Sequence, residues 1–246
     1  MSGSNAPVRL FRARLVAPSS GGPTNFSISV IRPLAAVHAP VPEAEPEPGP
    51  GFLVAYSGLP GNLPKDYHNT VFLWQGALPN TTAEPLEEQD VPTNLERGEV
   101  KFEKSLTAAA YCVTYQVGAD ASRMCALAQI NPGSGNAPDP PPAVVIEIDQ
   151  LTDKSVTVMY TTLPGYEPHA HQNWVGLWPG YALPYTAPKP AARADVMSDY
   201  TQGLVTLDAT FVPAFTYTIA YFMGPEQSTA AALIYFQPAR PPLRPI

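Results

Sequence analysis

The chain has 246 residues, enough for two domains of about 100 residues each with its own core. Its formal net charge of −7 and its 14% charged content exclude the basic stripe that a phosphate-backbone partner needs, so no nucleic acid is expected. No apolar run is long enough for a transmembrane helix, and 31 prolines with abundant Thr and Tyr point to short strands joined by turns rather than to helices.

Residues 8–16 partly alternate apolar with basic side chains, as a half-exposed strand does, and residues 25–31 place Phe26, Ile28 and Val30 on one face. A Pro/Glu-rich insertion at 38–51 follows. Proline at that density cannot join a strand ladder, and the acidic charge keeps the segment solvated. Strands are then expected over 52–56, 70–74, 100–102, 110–117 and 124–130, with 80–97 read as a polar surface connection. A Pro/Gly linker at 131–142 leads to a second series over 144–148, 155–160, 173–178, 204–207, 217–222 and 231–236. Residues 238–246 read as a proline-rich tail with a polyproline II preference.

The two series repeat each other. Tyr56-x-x-Leu59-Pro60-Gly61 is matched by Tyr160-x-x-Leu163-Pro164-Gly165, and Asn69, Val71, Leu73 and Trp74 by Asn173, Val175, Leu177 and Trp178, all at an offset of 104. Gly98-x-Val100 and Gly203-x-Val205 lie 105 apart, and Tyr111-x-x-x-Tyr115 and Tyr217-x-x-x-Tyr221 lie 106 apart. An offset drifting by one residue between strands is what loop insertions in two divergent copies produce. The expected fold is therefore all-β: two tandem immunoglobulin-like antiparallel β-sandwiches, fibronectin-like in strand number, arising from an internal duplication. The first sandwich is assigned residues 1–130 and the second 143–237.

The second copy resembles the SKICH-type immunoglobulin-like domains in three segments: Val156-Thr157-Val158-x-Tyr160-x-x-Leu163-Pro164, Asn173-Trp174-Val175-Gly176-Leu177-Trp178, and Tyr217-x-Ile219-x-Tyr221-Phe222. The first copy fits less closely, with Thr70 and Phe72 in place of the Trp and Gly. The resemblance implies a domain that serves protein contacts or membrane targeting and brings no catalytic residue with it.

Candidate site residues cluster in the second copy. Trp174 shares a strand face with Gly176 and Trp178 by the two-residue period, leaving either core space or an aromatic-walled groove. Tyr166, Tyr181, Tyr185 and Tyr200, with Asn173, Gln172 and Asp195, supply the rings and polar groups of a carbohydrate platform beside Trp174. His169 and His171 form a possible metal pair, although the spacing offers no third ligand. Gly133-Ser134-Gly135 lies in the Pro/Gly linker and reads as a spacer rather than a nucleophile elbow. Paired carboxylates at Glu87–Glu88 and Asp195–Asp199 read as solvating loop charge.

Cys112 and Cys125 flank a turn, but their counterparts are Thr218 and Ala231, so a disulfide is not part of the repeated design and two free thiols are expected. The N-terminus lacks a charged start followed by an apolar core, so a cytoplasmic location is expected. The leading expectation is a non-catalytic interaction or assembly protein with a protein partner or itself as partner, and no cofactor. A glycan-binding module and an enzyme with an unrecognised metal-dependent site are the alternatives.

Overall fold

The computed structural model describes residues 10–16, 23–31, 51–104, 106–107, 109–118, 120, 122–130 and 143–239. The Pro/Glu-rich insertion up to residue 50, the linker at 131–142 and the tail from residue 240 lie outside them. Two compact units form. Sandwich I comprises Phe26–Ala143, and sandwich II comprises Val144–Ile246 together with Met1–Asn25.

Sandwich I contains strands β2 (Ser27–Ile31), β3 (Phe52–Ser57), β4 (Thr70–Gln75), β5 (Glu87–Asp90), β6 (Arg97–Phe102), β7 (Tyr111–Gln116) and β8 (Met124–Ile130). They form one sheet in the order β2-β3-β6 and another in the order β5-β4-β7-β8. Sandwich II contains β9 (Val145–Leu151), β10 (Ser155–Thr161), β11 (Trp174–Pro179), β12 (Ala192–Asp195), β13 (Gln202–Asp208), β14 (Tyr217–Phe222) and β15 (Ala230–Ala239). Its sheets run β9-β10-β13 and β12-β11-β14-β15, the same two orders, with β1 (Arg12–Leu15) added outside β15. All named strand pairs are antiparallel. The all-β, immunoglobulin-like fold class expected from the sequence is the fold observed.

Side-chain alternation explains the three-stranded sheets. Phe52, Val54 and Tyr56 on β3, and Val156, Val158 and Tyr160 on β10, point inward while their neighbours are partly exposed. Tyrosine rings join the two sheets of each sandwich: Tyr56 meets Tyr115 with centroids 5.5 Å apart, and Tyr160 meets Tyr221 at 5.6 Å. The central strands β4, β7, β11 and β14 are buried on both faces apart from one terminal residue on each of β4 and β11. In sandwich II the segment 180–191 supplies part of that cover. Trp178 Nε1 donates to the Pro188 carbonyl at 2.7 Å, the Tyr185 hydroxyl to the Ala230 carbonyl at 3.0 Å, and the Ala182 amide to Thr218 Oγ1 at 2.9 Å.

The Gly-x-Val signature has a packing cause. Gly98 pairs directly with Tyr56, and Gly203 with Tyr160, across the strand interface. Each ring lies over its glycine, and a Cβ at Gly203 would come 2.7 Å from Tyr160 Cζ, closer still to the hydroxyl. Gly203→Ala is therefore expected to destabilise sandwich II by about 2 kcal/mol through forced displacement of a buried ring. Urea denaturation of wild type and variant measures it.

Three sequence expectations are corrected. β1 was assigned to the first sandwich at 1–130, yet it pairs with β15 in the register Arg12↔Ala239 to Leu15↔Phe236 and completes sandwich II. The connection 80–97 contains a strand, β5, which places Glu87 and Glu88 in a ladder rather than a loop, and β12 likewise takes in Asp195. Pro238 and Ala239 belong to β15, not to the tail.

Candidate functional site

The elements bearing most of the candidate residues converge at one end of sandwich II. Three segments meet there: 162–173 between β10 and β11, 196–201 between β12 and β13, and 223–229 between β14 and β15. The first folds as a compact turn. Gly165 (φ 79°) and Gln172 (φ 56°) take left-handed backbone, the Gln172 amide donates to the His169 carbonyl at 3.0 Å, and the Asn173 amide to the Pro168 carbonyl at 3.0 Å. Sandwich I builds the same turn: His68 has φ 54°, its amide donates to the Lys65 carbonyl at 3.2 Å, and the Asn69 amide donates to the Pro64 carbonyl at 2.8 Å. The adjoining segment is tied down alike, with the Ala170 amide on Asp199 Oδ1 at 2.8 Å and the Asp66 amide on Asn94 Oδ1 at 3.1 Å.

The turn delivers Asn173 into the interior. Its Nδ2 donates to the Tyr221 hydroxyl at 2.8 Å, and its Oδ1 accepts from the Tyr166 hydroxyl at 2.9 Å. Burial pushes the Tyr221 phenol well above its ordinary range. In sandwich I, Asn69 Nδ2 donates to the Tyr115 hydroxyl at 3.0 Å, and Oδ1 accepts from the Gly118 amide at 2.9 Å. Asn62 stands where sandwich II has Tyr166, and its buried Nδ2 lacks a hydrogen-bond partner.

Trp174 does not offer an open ring. It is 1% exposed, stacked on Phe222 at 3.8 Å with the planes 5° apart, and its Nε1 donates to the Gly224 carbonyl at 2.9 Å. Its ring is also covered by the Arg193 guanidinium, 4.2 Å from the centroid. Asn173, Tyr166 and Tyr185 are buried as well, so the expected platform is corrected: these residues are engaged by the protein itself. Tyr181 and Tyr200 are the candidate tyrosines with exposed rings, and Tyr181 also leans on Tyr235 at 5.3 Å.

The two histidines have separate partners. His169 Nδ1 lies 3.1 Å from the Val196 carbonyl, which can only accept, so that nitrogen carries the proton. His171 stacks on Tyr166 at 5.1 Å. Among the described residues no three His, Cys, Asp or Glu side chains are grouped as a metal would require. Cys112 and Cys125 are both free. They sit on adjacent strands out of register, with Cys112 opposite Gln129, and burial raises the Cys112 thiol to about 12 and Cys125 well above its usual value.

This end of the sandwich presents outward Met197, 77% exposed, and Tyr200, 79% exposed, with exposed carboxylates at Asp199, at Asp195 (paired with Arg193 at 3.1 Å) and at Glu167 on the 162–173 turn. Met197 escaped the sequence reading. Its signal was an apolar Val196-Met197 pair inside a polar, charged connection, where one residue turns in and the next turns out.

No family model matches the chain, and no curated protein matches it. Among the described residues no helix is long and apolar enough to cross a membrane. A solved structure to which the chain is similar is the chicken CNTN1 FN1–FN3 domains, at 11% identity with a TM-score of 0.26, covering 78% of this chain. This chain spans 63% of the length of that one. At that score the likeness carries no argument, and the fold rests on the strand orders given above.

Proposed function

We propose that this protein works by contact, as a non-catalytic interaction or assembly component built from two immunoglobulin-like modules. The observation that carries the reading is the outward display of Met197 and Tyr200 on a connection held firmly to its neighbours by the Ala170–Asp199 and His169–Val196 bonds. A large apolar side chain and an aromatic ring exposed on an ordered scaffold are the anchors that protein interfaces use, and little ordering entropy remains to be lost on binding. With Asp195 paired to Arg193, the carboxylates of Glu167 and Asp199 leave a net negative rim that favours a partner whose facing surface is basic around an apolar centre.

The finer reading of sandwich II as SKICH-type is supported by Asn173–Trp178 and Tyr217–Phe222 lying on adjacent strands, β11 and β14. Duplication of one ancestral module is supported by the shared strand orders, the matched Asn–Tyr hydrogen bonds and the matched left-handed turns.

Capture of partners from a lysate of the native host, wild type against the Met197→Asp/Tyr200→Asp variant, tests the reading. Loss of two anchors is expected to weaken capture by about a hundredfold, with thermal unfolding unchanged. A folded variant that captures the same proteins equally well overturns the assignment of this surface.

A further inference from the structure

Each sandwich puts a large apolar side chain into solvent at the same point of the same turn. Leu95 and Tyr200 lie 105 residues apart, the interval that also separates Gly98 from Gly203. Both stand on the connection from a short edge strand, β5 or β12, to β6 or β13. The same hydrogen bonds hold the two connections. On one side, the Gly58 amide donates to the Glu96 carbonyl and the Thr162 amide to the Thr201 carbonyl, each at 2.7 Å. On the other, Asn94 and Asp199 accept through Oδ1 from the Asp66 and Ala170 amides at 3.1 and 2.8 Å. Between them, the Leu95 amide donates to Thr93 Oγ1 at 3.4 Å and the Tyr200 amide to Ser198 Oγ at 3.2 Å. A single exposed leucine is ordinary on a protein surface. One turn, held by matching bonds and showing an apolar side chain in both modules, is a repeated display.

Each display has an apolar companion. In sandwich II it is Met197 on the same connection. In sandwich I it is Leu63, 37% exposed, on the facing turn. The Gly61 amide donates to Glu96 Oε1 at 2.6 Å and the Lys65 amide to the Thr93 carbonyl at 3.2 Å, which sets Leu63 alongside Leu95. The rims differ in charge. On segments 58–69 and 91–97 the exposed Lys65 and Arg97 offset Asp66 and Glu96, whereas Glu167 and Asp199 leave the sandwich II rim negative.

We propose that Leu95 with Leu63 is a second docking position, and that one copy of the same protein partner docks there and another at Met197 and Tyr200. A pair of side chains is too small an anchor for a lipid surface, where even a full acyl chain holds only marginally. It is the size of the centre of a protein interface. A socket shaped around this turn finds the same hydrogen-bonded backbone in both sandwiches, already ordered for binding. The proposal rests on the contact reading above and adds its multiplicity: the chain joins two copies of its partner.

Photo-cross-linking tests it. Full-length protein carrying benzoylphenylalanine in place of Leu95, of Tyr200 or, as a control, of the exposed Glu99 on β6 is irradiated in a lysate of the native host. Positions 95 and 200 are expected to link the same partner through the same partner peptide, and position 99 is not. With that partner purified, sedimentation velocity is expected to show two copies on wild type. One copy is expected on Leu95→Asp and one on Met197→Asp/Tyr200→Asp, with thermal unfolding unchanged in both. Rising salt is expected to release the copy beside Glu167 and Asp199 first. A partner linked at 200 alone, with Leu95→Asp binding as many copies as wild type, overturns the proposal and leaves the contact reading standing. So do different proteins at the two positions, or links from 95 to another copy of this chain. No link at either position overturns both.

Discussion

Gly176→Phe is expected to destabilise sandwich II by about 3 kcal/mol or more, and adding Trp174→Thr is expected to return a large part of that loss. A Cβ at Gly176 would already stand 2.5 Å from Trp178 Cη2 and 2.8 Å from Trp174 Cζ3, so a phenyl ring has no space while both indoles remain. Trp174→Thr alone removes a ring stacked on Phe222 and the indole hydrogen bond to Gly224, a loss of about 3–5 kcal/mol. Sandwich I shows that the combination can pack. Its equivalent face carries Thr70, Phe72 and Trp74, all buried, with Phe72 edge-on to Trp74 at 5.8 Å and 85°. Trp-x-Gly-x-Trp and Thr-x-Phe-x-Trp are two ways of placing two large rings and one small group along one strand face. A double-mutant cycle in urea, followed by circular dichroism, is expected to give a favourable coupling of about 2 kcal/mol. Additive losses would mean that the two faces are not interchangeable.

Asn173→Ala is expected to cost about 3 kcal/mol or more, despite removing only a few atoms. The amide is the partner of two buried phenols; its loss strands the Tyr221 hydroxyl away from water, while the Tyr166 hydroxyl keeps the Met223 carbonyl at 3.3 Å. Removing the stranded group as well, by Tyr221→Phe in the Asn173→Ala background, is expected to recover part of the stability. Replacing both sides of a buried polar contact is cheaper than orphaning one. Thermal and urea unfolding of the set distinguish the two cases. If the double variant is less stable than Asn173→Ala, the Tyr221 hydroxyl has found another partner and the account fails.

Much of the architecture was readable because core strands alternate, and because two matching series of strands gave each assignment a control. The tyrosine of each Tyr-x-x-Leu-Pro-Gly segment, the Asn-x-Val-x-Leu-Trp strand and the Gly-x-Val strand all proved to be contacts within one sandwich: ring over glycine, amide to phenol, sheet to sheet. β5 and β12 were missed for the reason that makes them good edges. Glu87-Glu88-Gln89-Asp90 and Ala192-Arg193-Ala194-Asp195 are short and polar, and half of each is in solvent, so nothing in their periodicity separates them from loop. The strand character of residues 8–16 was visible, but a pattern names a face and not a neighbour, which is how β1 was given to the wrong sandwich. The tyrosines divide similarly. Tyr166 and Tyr185 point inward to an Asn and a carbonyl, while Tyr200 points out, and loop residues have no period from which to read that difference.

The placement of β1 also bears on how the chain is made. A ribosome delivers residues 12–15 before every other described strand and β15 after all of them, so the earliest segment must wait for the latest before it has a ladder to join. Until then its arginines keep it solvated. Sandwich I, whose strands lie between, can finish folding in the interval. Among the described strands, the last pairing to form is therefore that of the first with the last.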